Sequence, residues 1–289
     1  MAGRRELERR LHALGDIGAI LGVMKNLALM ERGKLSRLLV AQREMVISLE
    51  ATATDFLTFY PQPRPVAEAA FEVLLLVGSQ RGFCGDFNDL ILAAMQTVGS
   101  NKSRSRRIAV GAKLVGRLRA DVYLDGPHAV EEIGHVIHEM MNALGTLLGR
   151  ADGVCSLQFT ALHHDPDSGG VVVRPLAPFN GQTVRAEITP TFPPHLNISP
   201  AAFFAQLAEQ HLLAAITEVF HRSLMAESLF RLNHIEGASR RMERRTTELR
   251  RKQTLARQEE IIEEIEAILA GAGMDATEAV EAVDDRLFC

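Results

Sequence analysis

Four groups of residues in this chain have types and spacings that could do chemistry. The first is Gly78-Ser-Gln-Arg-Gly-Phe-Cys-Gly85, a glycine-bearing loop between an apolar run and a helical run. Such a loop can turn successive backbone N–H groups toward a phosphate. The phosphate-loop signature, however, needs Gly-Lys-Ser/Thr after four intervening residues, and Gly82 is followed by Phe83 and Cys84. The dinucleotide spacing G-x-G-x-x-G is also missing, so a tight turn with positive φ angles is the better reading. The second group is Cys84 itself, a conceivable nucleophile with a distant histidine. No triad pattern accompanies it, and a buried structural cysteine is the commoner case. The third is His135, His138 and Glu139, three and four residues apart on a helical run. A zincin helix places its Glu directly after the first His, and here it follows the second. The fourth is His163-His164-Asp165 at the end of a strand. Neither histidine set has a matching set at metal-ligand spacing, so both read as ordinary surface or partly buried residues. There is no Gly-x-Ser-x-Gly elbow. Paired carboxylates occur only in a charged helical run, where they read as solvated surface. The residues point away from bond chemistry, with no cofactor and no metal expected.

The bulk properties agree. The 289 residues are 47% hydrophobic and 24% charged, which suits a soluble protein of one or two domains. A net charge of −4 sets up no field for nucleic acid, and a chain with no Trp and two Tyr offers few stacking platforms. The three cysteines, Cys84, Cys155 and Cys289, are odd in number and widely spaced, as in a reducing cytoplasm. The opening MAGRRELERR has no apolar signal core, and no unbroken run of about 20 apolar residues predicts a membrane span. Any work at a membrane is expected to go through partners.

What must position these groups is dominated by two long helices. From about Ala202 to Ala272 helix formers run without a proline. Roughly 70 helical residues would extend about 105 Å, far beyond a compact domain's needs. Leu213, Ile216 and Phe220 form one apolar stripe. Ile235, Ala238, Met242, Leu249 and Ala256 form a second, and Ile261, Ile262, Ile265, Ile268 and Leu269 a third. Spacings of three, four and seven suit a coiled coil. A basic zone (Arg240, Arg241, Arg244, Arg245, Arg250, Arg251, Lys252) precedes an acidic one (Glu259, Glu260, Glu263, Glu264, Glu266). The second long helix runs from about Glu6 to Tyr60. Leu14, Leu21, Ala28, Leu35 and Leu49 recur on a heptad line broken by Gln42. Ile17, Met24, Leu38 and Met45 make a second line broken by Glu31. Gly15, Gly18 and Gly22 each cost about 1 kcal/mol of helix stability relative to Ala, which a close helix approach would explain. Pro61, Pro63 and Pro65 stop this helix.

Between the helices the pattern alternates strand and helix. Strands are expected at Phe71–Val77, Arg107–Gly111, Val122–Leu124, Val154–His163 and Gly170–Pro178. Helices are expected at Phe87–Val98, from Gly111 through Arg119, and at Val130–Leu148, with a turn at Asp165–Gly169. Ser199 and Pro200 fit the N-cap and first position of the C-terminal helix. The expected fold class is α/β: long N- and C-terminal helices pair as an antiparallel coiled coil around an inserted Rossmann-like α/β globular domain. The division is 1–60 for the N-terminal helix, 61–200 for the globular foot, and 201–289 for the C-terminal helix with a short tail.

Three pieces resemble the gamma subunit of F-type ATP synthases. One is Met1-Ala2-Gly3 with Ile20, Met24 and Ala28. The most specific is Ser79-Gln-Arg-Gly-Phe-Cys-Gly-Asp-Phe-Asn88, close to the family's Ser-Asp-Arg-Gly-Leu-Cys-Gly-Gly-Phe-Asn. The third is Glu227, Arg231 and Ala238, then Ala256-Arg257-Gln258, Ile261 and Gly271-Ala272. The resemblance spans nearly the whole chain and identifies it as a divergent bacterial member. It implies a non-catalytic central rotor shaft that couples ion-driven rotation of the membrane c-ring to conformational cycling of the catalytic beta subunits. Its implied partners are the alpha–beta hexamer, the epsilon subunit and the c-ring. Its implied place is peripheral, on the cytoplasmic face of the bacterial cell membrane, with proton or sodium as the coupling ion. Implied subunit-contact residues are Met24, Arg257, Gln258, Arg81, Gly82, Cys84, Glu227 and Arg231. The chain departs from the family at Ala19, Gly22 and Lys25, and at Ala226-Glu-Ser-Leu-Phe-Arg-Leu232, and Met274–Cys289 runs past the usual end. A second-copy ATPase biased to sodium transport or hydrolysis is therefore an alternative. A coiled-coil scaffold for other partners and a nucleotide-binding α/β enzyme rank below it.

Overall fold

The computed structural model describes residues 2–60, 70–98, 105–149, 156–176 and 192–284. In chain order the elements are α1 (Ala2–Phe59), β1 (Ala70–Val77), α2 (Phe87–Val98), β2 (Ser105–Val110), β3 (Val122–Leu124), α3 (Ile133–Gly149), β4 (Ser156–His164), β5 (Val171–Pro175) and α4 (Pro200–Asp284). Contacts divide the chain into two compact units, Met1–Met24 with Glu236–Cys289, and Lys25–Ile235.

The larger unit is built on a five-stranded sheet of order β3-β2-β1-β4-β5. The first four strands are parallel and β5 is antiparallel to β4. Parallel strands need crossover helices, so both sheet faces are covered and central strands are apolar throughout. β1 shows this. Leu74 and Leu76 pack on one face with Ile91 of α2 and with Leu162. Val73, Leu75 and Val77 pack on the other with Met140 of α3 and with Ile216 and Phe220 of α4. The helix expected from Gly111 to Arg119 is instead one 3₁₀ turn at Ala112–Leu114, because Val115 is extended and Gly116 takes φ 78°. Pro61, Pro63, Pro65, Cys155, Cys289 and Pro190 lie outside the described residues, while the link is described from 192 onward and has no regular element before α4.

Gly111 is a position the fold requires. Its φ is 112°, and an added Cβ would lie 2.7 Å from the Gly78 carbonyl oxygen. Neither the angle nor rigid backbone can yield cheaply. Gly111→Ala is expected to lower stability by about 2 kcal/mol, read as a shift in the urea unfolding midpoint; no shift would contradict the packing described.

Within this unit α1 and α4 run antiparallel. Gln42 donates to the Ala214 carbonyl at 2.9 Å, and the Phe56 ring lies 4.9 Å from that of Phe203. Ser199 caps α4 as expected, its Oγ accepting from Ala202 N–H at 3.3 Å. In the smaller unit the helices again run antiparallel: Gln253 donates to Glu8 at 3.5 Å, and a Cβ on Gly18 would meet Met242 Cε at 3.4 Å. That is ordinary contact with the flexible end of a side chain, so close helix approach does not explain Gly18. Nothing lies within 4 Å of the same point on Gly15 or Gly22.

The first heptad line of α1 is the buried one: Leu21, Ala28 and Leu35 are inside. The next buried residue is Val46, eleven positions after Leu35 rather than a multiple of seven, followed by Ala53 and Phe56. An unsupercoiled helix drifts in this way, since its turn is 3.6 residues. The second line is not a seam. Ile17, Leu38 and Met45 are exposed, as are Ile20, Val23, Leu27 and Met30. This density of apolar residues gives α1 an 18-residue window of mean hydropathy 1.4, long and apolar enough for a membrane span by length and composition, which corrects the reading from unbroken runs. On α4, Ile216 and Phe220 are buried but Leu213 is exposed. The stripe from Ile261 to Leu269 is exposed throughout. Glu8 of α1 is set against Gln253 of α4.

Candidate functional site

The glycine loop does cradle an anion, and that anion is the chain's own. Gly78 N–H continues the sheet by donating to Val110. Ser79 and Asn88 close on each other, Ser79 N–H donating to Asn88 Oδ1 at 3.0 Å and Asn88 Nδ2 to Ser79 Oγ at 2.8 Å. The next two N–H groups, of Gln80 and Arg81, donate to the two carboxylate oxygens of Glu227 on α4, at 3.3 and 3.1 Å. Two consecutive donors after the first strand of a parallel sheet are where such folds commonly hold a phosphate. Here Glu227 fills them, so the nucleotide-binding enzyme reading loses the loop it needs.

Arg231, one helical turn on, pairs with the same carboxylate and donates to the Gly82 carbonyl at 3.5 Å. Arg231 and Glu227 are 4% and 5% exposed, so this is a buried ion pair. Burial pushes the Glu227 carboxyl up, while Arg231 and the two backbone donors pull it back. Glu31 of α1 closes the cluster. It lies 2.6 Å from Arg81 and 3.5 Å from Arg231, and accepts from Ser228 Oγ at 3.3 Å. Two guanidiniums thus face two carboxylates contributed by α1, the loop and α4.

Cys84 sits under this cluster, its thiol donating to Gly82 O at 3.3 Å. Burial, reinforced by Glu227, raises its pKa to about 11, so the thiol stays protonated at neutral pH and is no nucleophile. Phe83, beside it, has φ 63° and an exposed ring. Gln80 ties the loop to its neighbours: its Oε1 accepts from Ala112 and Gly126 N–H at 2.9 and 2.7 Å.

The histidines form no metal site. His135 is exposed and pairs with Glu139 at 3.4 Å, and His138 bonds Asn142. His163 and His164 are buried on opposite sheet faces, bonded to the carbonyls of His164 and Phe87. No cluster of three or more metal-ligating side chains occurs among the described residues. A cavity of about 370 Å³ adjoins His163; of its charged side chains Asp165, Arg174, Glu218 and Arg222 are engaged with one another, and Arg43 and Glu50 also line it. Arg174 pairs with Glu218 at 2.7 Å, and Arg222 with Glu218, Asp165 and Asp167.

Of the residues singled out from sequence, Arg81, Gly82, Cys84, Glu227 and Arg231 come together in the larger unit. Met24, half-buried, and Arg257 and Gln258, both exposed, belong to the smaller one. Glu31 and Ser228 complete the cluster from the two long helices, and Gln80 and Asn88 of the Ser79–Asn88 motif brace it, although none of the four is among the expected contact residues. Glu31 was visible only as a charge interrupting an apolar line.

A sequence model of the ATP synthase family matches residues 3–274. No curated protein matches significantly. Among solved structures, the chain is similar to one in the rotor of the Euglena gracilis mitochondrial ATP synthase, with 12% identity, TM-score 0.53, and coverage of 90% of this chain and 99% of that one. A chain in the OSCP/F1/c-ring part of the Euglena enzyme gives 12% identity, TM-score 0.56 and coverage of 97% and 96%. One in the central stalk and c-ring of the Tetrahymena thermophila mitochondrial ATP synthase gives 16%, 0.51, and 76% and 99%. At such identities the structures speak to fold alone, whereas the sequence model covers most of the chain. Two long helices, a mostly parallel sheet that falls between them in sequence and a match from residue 3 to residue 274 together show that the chain belongs to the ATP synthase family, as a gamma subunit.

Proposed function

We propose that this chain is the central rotor shaft of a membrane ATP synthase. It turns with an ion-driven c-ring and forces the catalytic beta subunits through successive conformations. The family match over residues 3–274 carries this reading. The finer points belong to the same proposal. The chain does no bond chemistry itself. It stands in the alpha–beta hexamer, meets the epsilon subunit and the c-ring, and reaches the cytoplasmic face of a bacterial cell membrane only through them. Proton or sodium is the coupling ion. Residues 1–60 and 201–289 serve as shaft and 61–200 as foot. Met24, Arg257 and Gln258 face the hexamer. The cluster of Arg81, Gly82, Cys84, Glu227 and Arg231 presents the foot loop to neighbouring subunits.

The exposed apolar line on α1 supports an enclosing partner, since such a surface is unfavourable in water. The exposed basic residues of α4, such as Arg244, Arg251 and Arg257, suit a surface that must slide rather than stick. Affinity purification of the tagged chain from its own membranes is expected to bring alpha, beta and c subunits with ATP hydrolysis. Recovery of the chain alone, or with unrelated proteins, would leave the scaffold reading in its place.

A further inference from the structure

We infer that Glu31 is a positioning residue for rotary coupling, locking the rotational setting of α1 on the α/β body. This rests on the rotor reading. The interface of α1 in this stretch has two kinds of contact. Ala28 and Leu35 are buried apolar residues, and apolar burial resists separation but has no direction. Two further directional contacts among the described residues are weaker. Lys34 reaches Glu131 at 3.0 Å, but both side chains are more than half exposed, so the pair holds little. Gln42 holds α4 through one neutral hydrogen bond.

Glu31 differs on each point. Its carboxylate is 12% exposed, and its two oxygens divide between Arg81 of the loop and Arg231 of α4. The Arg81 contact, at 2.6 Å, is a charge-assisted hydrogen bond, which is strong and geometrically strict, and the Arg231 contact, at 3.5 Å, adds charge attraction across to α4. Turning α1 by one residue, about 100°, would carry the carboxylate away from both guanidiniums. Glu31 also completes the local charge: without it, Arg81 and Arg231 share Glu227 alone. A torque on the sheet therefore passes into α1 with a defined angle through this residue, and slips without it.

Two measurements on Glu31→Gln, with Glu31→Asp as the conservative control, test this. In the full-length chain, hydrogen exchange of the α1 amides around residues 27–35 is expected to speed by about tenfold in Glu31→Gln and by less in Glu31→Asp. In the purified complex, the ratio of ATP-driven ion transport to ATP hydrolysis is expected to fall at least about threefold in Glu31→Gln and to recover in Glu31→Asp. An unchanged ratio overturns the inference, even if exchange is faster, because Glu31 would then be structural only. If Glu31→Gln does not assemble, unchanged exchange in the isolated chain overturns it, and otherwise the transport-to-hydrolysis ratio is read in Arg81→Gln, which opens the same contact from the loop side: a fall supports the inference and an unchanged ratio overturns it. Failure of the unaltered chain to form a complex with alpha and beta subunits counts against the rotor reading, and the exchange result still reports on the clasp.

Discussion

Arg231→Met is expected to destabilise the Lys25–Ile235 unit by about 3–5 kcal/mol, the usual cost of stranding one partner of a buried pair. The substitution keeps much of the side-chain volume but removes the cation. Glu227, only 5% exposed, then retains two backbone donors and no opposite charge on its own helix. Arg81 is turned toward Glu31, so it replaces Arg231 poorly. The loop would lose its anchor on α4 together with the Arg231 bond to Gly82. Urea unfolding followed by circular dichroism would read the loss as a lower midpoint with similar slope. The double variant Arg231→Met with Glu227→Leu should recover much of it, since a well-packed apolar pair often matches a buried ionic one. A single-variant loss below about 1 kcal/mol would mean the pair is solvated, contrary to its geometry.

The second large effect is acid lability beginning near pH 6.5. His163, His164, His211 and His221 are buried in the larger unit. Burial lowers the pKa of each, only partly offset by a carbonyl beside His163, His164 and His221 and by Glu50 beside His211. In the unfolded chain the same rings titrate at about 6.5. Between the depressed folded values and 6.5 the unfolded chain binds more protons, so stability rises with pH across that window. It is fully present above about 6.5 and is lost as pH falls, by up to about 1.4 kcal/mol per pH unit for each histidine. Against the opposing effect of burial, Asp165 is held below its usual range by the Ser168 N–H and then Arg222, and Glu218 by Arg174 and Arg222, so both lose their contribution only at lower pH. Urea midpoints measured from pH 8 to pH 5 should fall steeply below pH 6.5. A flat profile down to pH 5.5 would show that the histidines are not held neutral.

Much of the architecture was legible because it rests on local patterns. An unbroken apolar run such as Val73–Val77 predicts a strand covered on both faces wherever it sits. A proline-free stretch of helix formers predicts α4, and Ser199-Pro200 predicts its start. The line Leu21, Ala28, Leu35 was readable because its period is helical. What failed was the choice among lines. Ile17, Leu38 and Met45 repeat as regularly as the buried set, and only the position of α4 and the sheet decided which line faces inward. Likewise Ile261–Leu269 has the spacing of a seam, yet all five of its apolar residues are exposed.

The candidate site divides along the same boundary. The residues alone indicated that Gly78–Gly85 is a tight turn before a helix, that it lacks a phosphate-loop lysine, and that Glu227 and Arg231 lie one turn apart on a helix. Only the tertiary structure decided that Glu227 is the anion the turn's backbone N–H groups hold, and that Glu31, about 200 residues upstream, completes the charge. The reason is physical. Helical period, turn chemistry and apolar alternation act over a few residues and are written in order along the chain. Desolvation and charge pairing depend on distance in space, and acquire their partners only when the sheet brings α1 and α4 together.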